Sequence, residues 1–186
     1  DYLQILEEHR TSVCGGVSMN RNYIHTITLY NRIQAADSDD KVERWKKTVL
    51  HKCFWKSKIS TSFNGTQANV QNTYVVRIPE NENYLPYREL IKGKFLEHDW
   101  KDTEGGVILD TSGSAIVLLK KIIDGFTVSI GDIVVLGECE DDITGASGQT
   151  AAQILNRNKP NAFKVTAFSD NTGHFASLSK HYRLGG

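Results

Sequence analysis

Near the C-terminus two strand-length runs, Phe163 to Phe168 and His174 to Ser179, are separated by Asp170-Asn171-Thr172-Gly173. These four residue types tolerate the positive φ of a tight reversal, so the pair reads as an antiparallel hairpin. Just upstream, Gly131-Asp132 opens a further strand, Ile133 to Leu136, followed by an acidic loop (Glu138, Glu140, Asp141, Asp142). Next, Thr150-Ala151-Ala152-Gln153 has the spacing of a capping box, which predicts a short helix running to about Asn156 before Asn158-Lys159-Pro160. The stretch from Ser129 onward therefore commits the chain to a small antiparallel sheet.

The earlier segments extend that pattern. From Tyr23 to Tyr30, β-branched and aromatic residues alternate with period two, with Tyr23, His25, Ile27 and Leu29 on one side. A second strand is expected through Trp45 to Trp55, with Val49, His51, Cys53 and Trp55 on one face. Thr73 to Ile78 is a third, stopped by Pro79, and a short strand is expected near Val107 to Leu109; Ile116 to Ile123 fits a strand or a helix by period, and its β-branched content favours a strand. Residues 57–72, which contain the turn dipeptide Asn64-Gly65, and 80–106 are polar or aperiodic and read as two long loops. Asp1 to Arg10 suits one or two helical turns. Met19 is the only methionine and a candidate start, which sets 1–18 apart as an N-terminal extension and leaves 19–186 as one domain. The expected fold is mainly β: a small antiparallel β-barrel or sandwich with one short helix and long loops.

Composition limits the partners. The 22 basic and 22 acidic side chains cancel, so any charged partner must be met by a local patch. No apolar run approaches the roughly 20 residues that span a bilayer, and no signal-peptide pattern opens the chain. Cys14, Cys53 and Cys139 are odd in number and widely spaced, which argues against a disulfide framework or a zinc site and fits reduced thiols in a cytosolic setting.

Catalytic and metal chemistry find no pattern to stand on. His9, His25, His51, His98, His174 and His181 lack metal-ligand spacing and read as structural. His98-Asp99 has no nucleophile elbow to serve. The acidic loop lacks the order of a calcium site, and its glycines are not a phosphate loop. No cofactor, no metal and no enzymatic activity are expected.

The most basic stretch, Lys41 to Lys58, holds seven Lys or Arg and one Glu. Three readings are open. Its lysines, including Lys56 and Lys58, could follow a phosphate backbone with Trp45 and Trp55 as stacking surfaces. They could guard a strand edge. Or Lys41, Arg44, Lys46, Lys47 and Lys52 could meet acidic groups of another subunit, for which Asp37, Asp39, Asp40, Glu138, Glu140, Asp141 and Asp142 are candidates, as a head-to-tail ring requires.

The order of segments carries a resemblance. Thr26-Ile27-Thr28-Leu29-Tyr30-Asn31, Trp45-Lys46-Lys47-Thr48-Val49 leading to Trp55, Arg77-Ile78-Pro79, Gly131-Asp132-Ile133-Val134, and Phe163-Lys164-Val165 before His181-Tyr182-Arg183-Leu184-Gly185-Gly186 follow one another. This layout, over about Met19 to Gly186, resembles small neck and minor structural proteins of tailed bacteriophages and prophages, in particular the head-completion (stopper, head-closure) group. The resemblance implies a structural virion protein, assembled in the host bacterial cytoplasm, whose β-barrel subunits form a homo-oligomeric ring between portal-adaptor and tail proteins. It also implies a long loop, 80–106 or 57–72, reaching a neighbour or the DNA channel, with Lys92, Lys94 and Lys101 as loop candidates. The leader and longer loops depart from the shortest members, so a minor capsid or tail-joining protein, or a nucleic-acid-binding β-barrel, is the alternative.

Overall fold

The computed structural model describes residues 22–38, 41–64, 67–91, 125–173 and 180–186. Seven strands form one antiparallel sheet: β1 (His25–Ile33), β2 (Arg44–Asn64), β3 (Gln67–Pro79), β4 (Ile133–Leu136), β5 (Ala162–Lys164), β6 (Ala167–Asp170) and β7 (His181–Gly185). Their order is β5-β4-β1-β2-β3-β7-β6. The outermost strands, β5 and β6, are therefore consecutive in the chain, joined only through Val165 and Thr166. Val165 exchanges backbone hydrogen bonds with Gly131 and Asp132 on one side, while Thr166 N–H donates to the Gly185 carbonyl on the other. A sheet whose two ends lie this close in sequence has to roll up, and it does so as a half-barrel. The mainly β expectation holds.

Inside the curl, Ile27, Leu29, Leu50, Cys53, Trp55, Tyr74, Val76, Ile78, Phe126, Val134, Phe163, Val165 and Leu184 make one core. The Tyr74 and Phe163 rings stack at 4.9 Å, and Trp55 lies 5.5 Å from Phe163, so aromatic pairs tie β2 and β3 to β5 across the interior. Outside the curl a smaller core of Tyr30, Ile133, Val135, Ile143 and Ala162 is capped by Ile154 of the helix Ala151–Arg157. Because β1 and β4 are covered on both faces, Tyr30 is as buried as Leu29. Thr150 and Gln153 form the anticipated capping box, and the helix ends at Asn158.

The inward face of β2 differs from the expected one. Val49 and His51 are exposed, and Leu50, Cys53 and Trp55 point inward. The reason is a bulge: Ile27 pairs with Leu50 but His25 pairs with Cys53, and Lys52 sits at φ 57°. An extra residue in one strand shifts every later side chain to the other face. At this corner β2 leaves β1 and takes β3 as its partner, from Phe54↔Arg77 onward.

Residues 57–72 are not a loop. They form the outer part of a long two-stranded ribbon whose pairing continues to Asn64↔Gln67. The Asn64-Gly65 signal marked the reversal but not the strands on either side, which carry few apolar residues and are covered by none of the described residues. In 80–91, Tyr84 bridges Phe126 and residues 87–91 are helical. The described partner of β6 is β7, His181–Gly185. The readings for 1–18, 92–106, Val107–Leu109, Ile116–Ile123 and His174–Ser179 lie outside the described residues.

Candidate assembly surface

The acidic loop is held against its own chain. Thr28 Oγ1 donates to the Gly137 carbonyl at 2.8 Å and accepts from Cys139 N–H at 2.9 Å. Tyr30 Oη donates to the Asp141 carbonyl at 2.6 Å, and burial raises its pKa. Both side chains are fully buried and reach outward from β1, so the loop is fixed where it crosses that strand. Its carboxylates then find cations close by. Lys47 Nζ lies 2.6 Å from Asp142 Oδ1 and donates to the Glu140 carbonyl at 3.0 Å, while Arg157 lies 2.7 Å from Asp141. Glu138 and Glu140 are exposed.

The basic strand is likewise engaged. Lys46 Nζ donates to the Gly125 carbonyl at 2.5 Å and to Thr48 Oγ1 at 3.3 Å. Arg44 donates to Ser38 Oγ at 3.3 Å, and Lys41 reaches the Ala36 carbonyl at 3.5 Å. Lys52, at the bulge, is exposed, as are Lys56 and Lys58. Asp37 accepts from Tyr87 Oη at 2.8 Å. Asp39, Asp40, Lys92, Lys94 and Lys101 lie outside the described residues. Two patches that the sequence offered as partners between subunits thus meet within one chain at Lys47 and Asp142. These pairs are surface-exposed or half-buried, so each contributes at most about 1 kcal/mol.

The proposed stacking pair separates. Trp55 is a core residue on Tyr74 and Phe163, unavailable to a base, whereas Trp45 is half-buried and donates Nε1–H to Glu43 at 3.1 Å. Cys53 is fully buried, and burial pushes its thiol up to about 12. His25 Nδ1 accepts from Trp55 N–H, and His51 bonds Thr26. Among the described residues no group of three or more His, Cys, Asp and Glu converges in a way that could hold a metal ion. No described helix is long and apolar enough to cross a membrane.

Composition did not point to a polar node behind this surface. Asn31 and Asp132, both fully buried, join the end of β1 to the loop preceding β4. Asn31 Nδ2 donates to the Thr127 carbonyl at 2.6 Å and to Asp132 Oδ2 at 2.8 Å. Asp132 also accepts from the backbone N–H groups of Arg32 and Ser129, each at 2.8 Å. Gly131, at φ 101°, makes the turn that aims the carboxylate inward, a conformation that favours glycine. Burial raises the Asp132 pKa to about 6, while the donors and the nearby Arg32 hold it lower than burial alone would.

Taken together, the molecule is a mainly β half-barrel with a protruding ribbon and a buttressed charged flank. By sequence, the chain belongs to a family of unknown function (DUF6751), whose model matches residues 23–112 and 116–186. No curated protein and no solved structure matches it.

Proposed function

We propose that this protein is a structural component of a phage virion, most specifically the head-completion or stopper ring of the head-tail connector, joining the portal-adaptor complex to the tail and helping to retain DNA. The observation that carries the reading is the form of the molecule: a small rolled antiparallel sheet from which one ribbon projects clear of the core. The resemblance carried by the order of segments from Thr26 to Gly186 implies a small β-barrel with a long projecting loop; the rolled sheet supports the first part, and the ribbon stands where one of the two candidate loops was expected. Thr28, Tyr30, Lys46 and Lys47 of the described flank donate to backbone carbonyls, which suits an architectural role. In this reading the exposed Lys52, Lys56 and Lys58, together with Lys92, Lys94 and Lys101 outside the described residues, face neighbouring subunits or the DNA passing through the channel.

Size-exclusion chromatography with light scattering, followed by negative-stain microscopy, tests the proposal. Rings, or co-purification with virus particles, are the expected result. A monomer that never accompanies particles would overturn it. Particles carrying the protein away from the neck would favour a minor capsid or tail-joining role.

A further inference from the structure

From Ile59 to Val76 the chain contains no Asp, Glu, Lys or Arg, although 24% of the whole is charged. Most of that stretch is the outer part of the β2–β3 ribbon. Residues 57–63 and 70–73 are all exposed, so the ribbon has water on both faces. The register sets Ile59 opposite Asn72, Thr61 opposite Val70 and Phe63 opposite Ala68. Ile59, Val70 and Phe63 therefore share one face, at 63%, 60% and 75% exposure. Ser60, Ser62, Gln71 and Thr73 take the other. Of the seven large apolar side chains exposed among the described residues (Ile24, Val42, Val49, Ile59, Phe63, Val70 and Ile130), three lie in this single stripe.

The edges are open as well. Among the described residues no strand flanks β2 beyond Cys53, and none flanks β3 before the Tyr74–Gly186 backbone bonds. An uncovered two-stranded ribbon is marginally stable in water. An uncharged, exposed, pleated one associates unless it is covered.

We propose that the ribbon is a self-association element whose apolar stripe packs face to face on the same stripe of a second copy of this chain. Two observations select the second copy. The face that carries Ile59, Val70 and Phe63 holds no charge, since Lys56 and Lys58 pair with Val75 and Thr73 and so take the opposite face; such a face meets itself with no like-charge penalty, whereas nucleic acid or a charged protein would find no counter-charge on it. The stripe is also self-complementary. Along the ribbon its order is Ile59, Val70, Phe63, in two steps of about 6.6 Å at roughly 3.3 Å per residue. A two-fold axis at Val70 then sets Ile59 against Phe63 of the partner subunit, and Val70 against Val70 of the partner subunit, as an isologous contact requires. The inference does not depend on the ring, whose closing contacts are heterologous.

Two experiments on the full chain decide it. The first introduces Val70→Cys and oxidises mildly. A disulfide-linked dimer is expected on a non-reducing gel, with none from wild type or from Ser60→Cys on the opposite face. The second introduces Ile59→Ser with Phe63→Ser and measures mass by light scattering. The number of copies per particle should fall at least twofold with the circular dichroism spectrum unchanged, because neither side chain belongs to the core. Failure of the Val70→Cys variant to cross-link, or an unchanged mass in the double variant, overturns the proposal. Rings that persist in the double variant at wild-type mass would remove the ribbon contact and leave the connector reading standing. Halved mass in a protein that never forms rings would do the reverse.

Discussion

Asn31 Nδ2 stands 2.8 Å from Asp132 Oδ2, and 101 residues of chain separate the two. The contact joins the last turn before β4 to the far end of β1 at full burial, so it fixes how the C-terminal third docks on the N-terminal strands. Replacing Asn31 by Leu strips the buried carboxylate and the Thr127 carbonyl of a donor at once. The expected loss is about 3 kcal/mol, since a buried charge or acceptor without its partner carries its full desolvation penalty. Urea unfolding should show a lower midpoint at unchanged slope. A variant as stable as wild type would refute this role.

The same carboxyl links stability to pH. Its pKa is about 6 in the folded chain and 3.8 in the absence of the fold. Between those values the folded state keeps a proton that the unfolded state has released, so this residue's contribution is fully present below about pH 4 and declines as pH rises to 6. A shift of about two units corresponds to about 3 kcal/mol. Comparing urea midpoints of wild type and Asp132→Asn from pH 3.5 to 7 isolates the effect from other carboxylates. Wild type should lose stability relative to the variant across that window, and a flat difference would show that the shift is absent.

Lys52 marks the corner of β2 with its φ of 57°. A β-branched residue tolerates this conformation poorly and glycine adopts it freely. Lys52→Val should therefore be less stable than Lys52→Gly by about 1–2 kcal/mol, measured by thermal or urea unfolding. Equal stabilities would mean that the corner is not held in the left-handed region.

Trp55 belongs to the core and Thr150 to a cap, and their variants should differ accordingly. Trp55→Ala removes an aromatic side chain packed on Tyr74 and Phe163 and should cost about 4 kcal/mol. Thr150→Ala removes the acceptor for Gln153 N–H and the hydroxyl that donates to Gln153 Oε1 and should cost about 1 kcal/mol. Reversal of that order in denaturation measurements would contradict the packing described here.

Cys53 offers a chemical readout. With its thiol fully buried and its pKa pushed up to about 12, it should resist iodoacetamide in the native protein and react at the ordinary rate once unfolded. Rapid native-state alkylation of Cys53, located by peptide mass mapping, would show that the interior of the curl opens readily.

Strands with a buried face announced themselves in the sequence. The alternation from Tyr23 to Tyr30, the apolar run at Ile133 to Leu136 and the Thr150 to Gln153 cap were legible because each is a local pattern imposed by burial or by an unsatisfied helix end. The ribbon was missed for the converse reason: residues 57–63 and 70–73 are all exposed, so only Ile59, Phe63 and Val70 hint at a period among polar residues, and the absence of charge from Ile59 to Val76 was the clearer signal. The basic and acidic patches were visible as charge. That Lys47 and Asp142 face each other within one chain was not.

What the sequence determined by itself is a mainly β molecule with a capped helix near its end, because period, turn chemistry and caps act over a few residues. Tertiary structure alone decided that β5 and β6 lie at opposite ends of one sheet, that Trp55 rather than His51 faces inward past the Lys52 bulge, and that Asn31 meets Asp132. These depend on strand order, register and burial. Those are set by contacts between residues far apart in the chain, and a local pattern does not record which distant partner each strand will find.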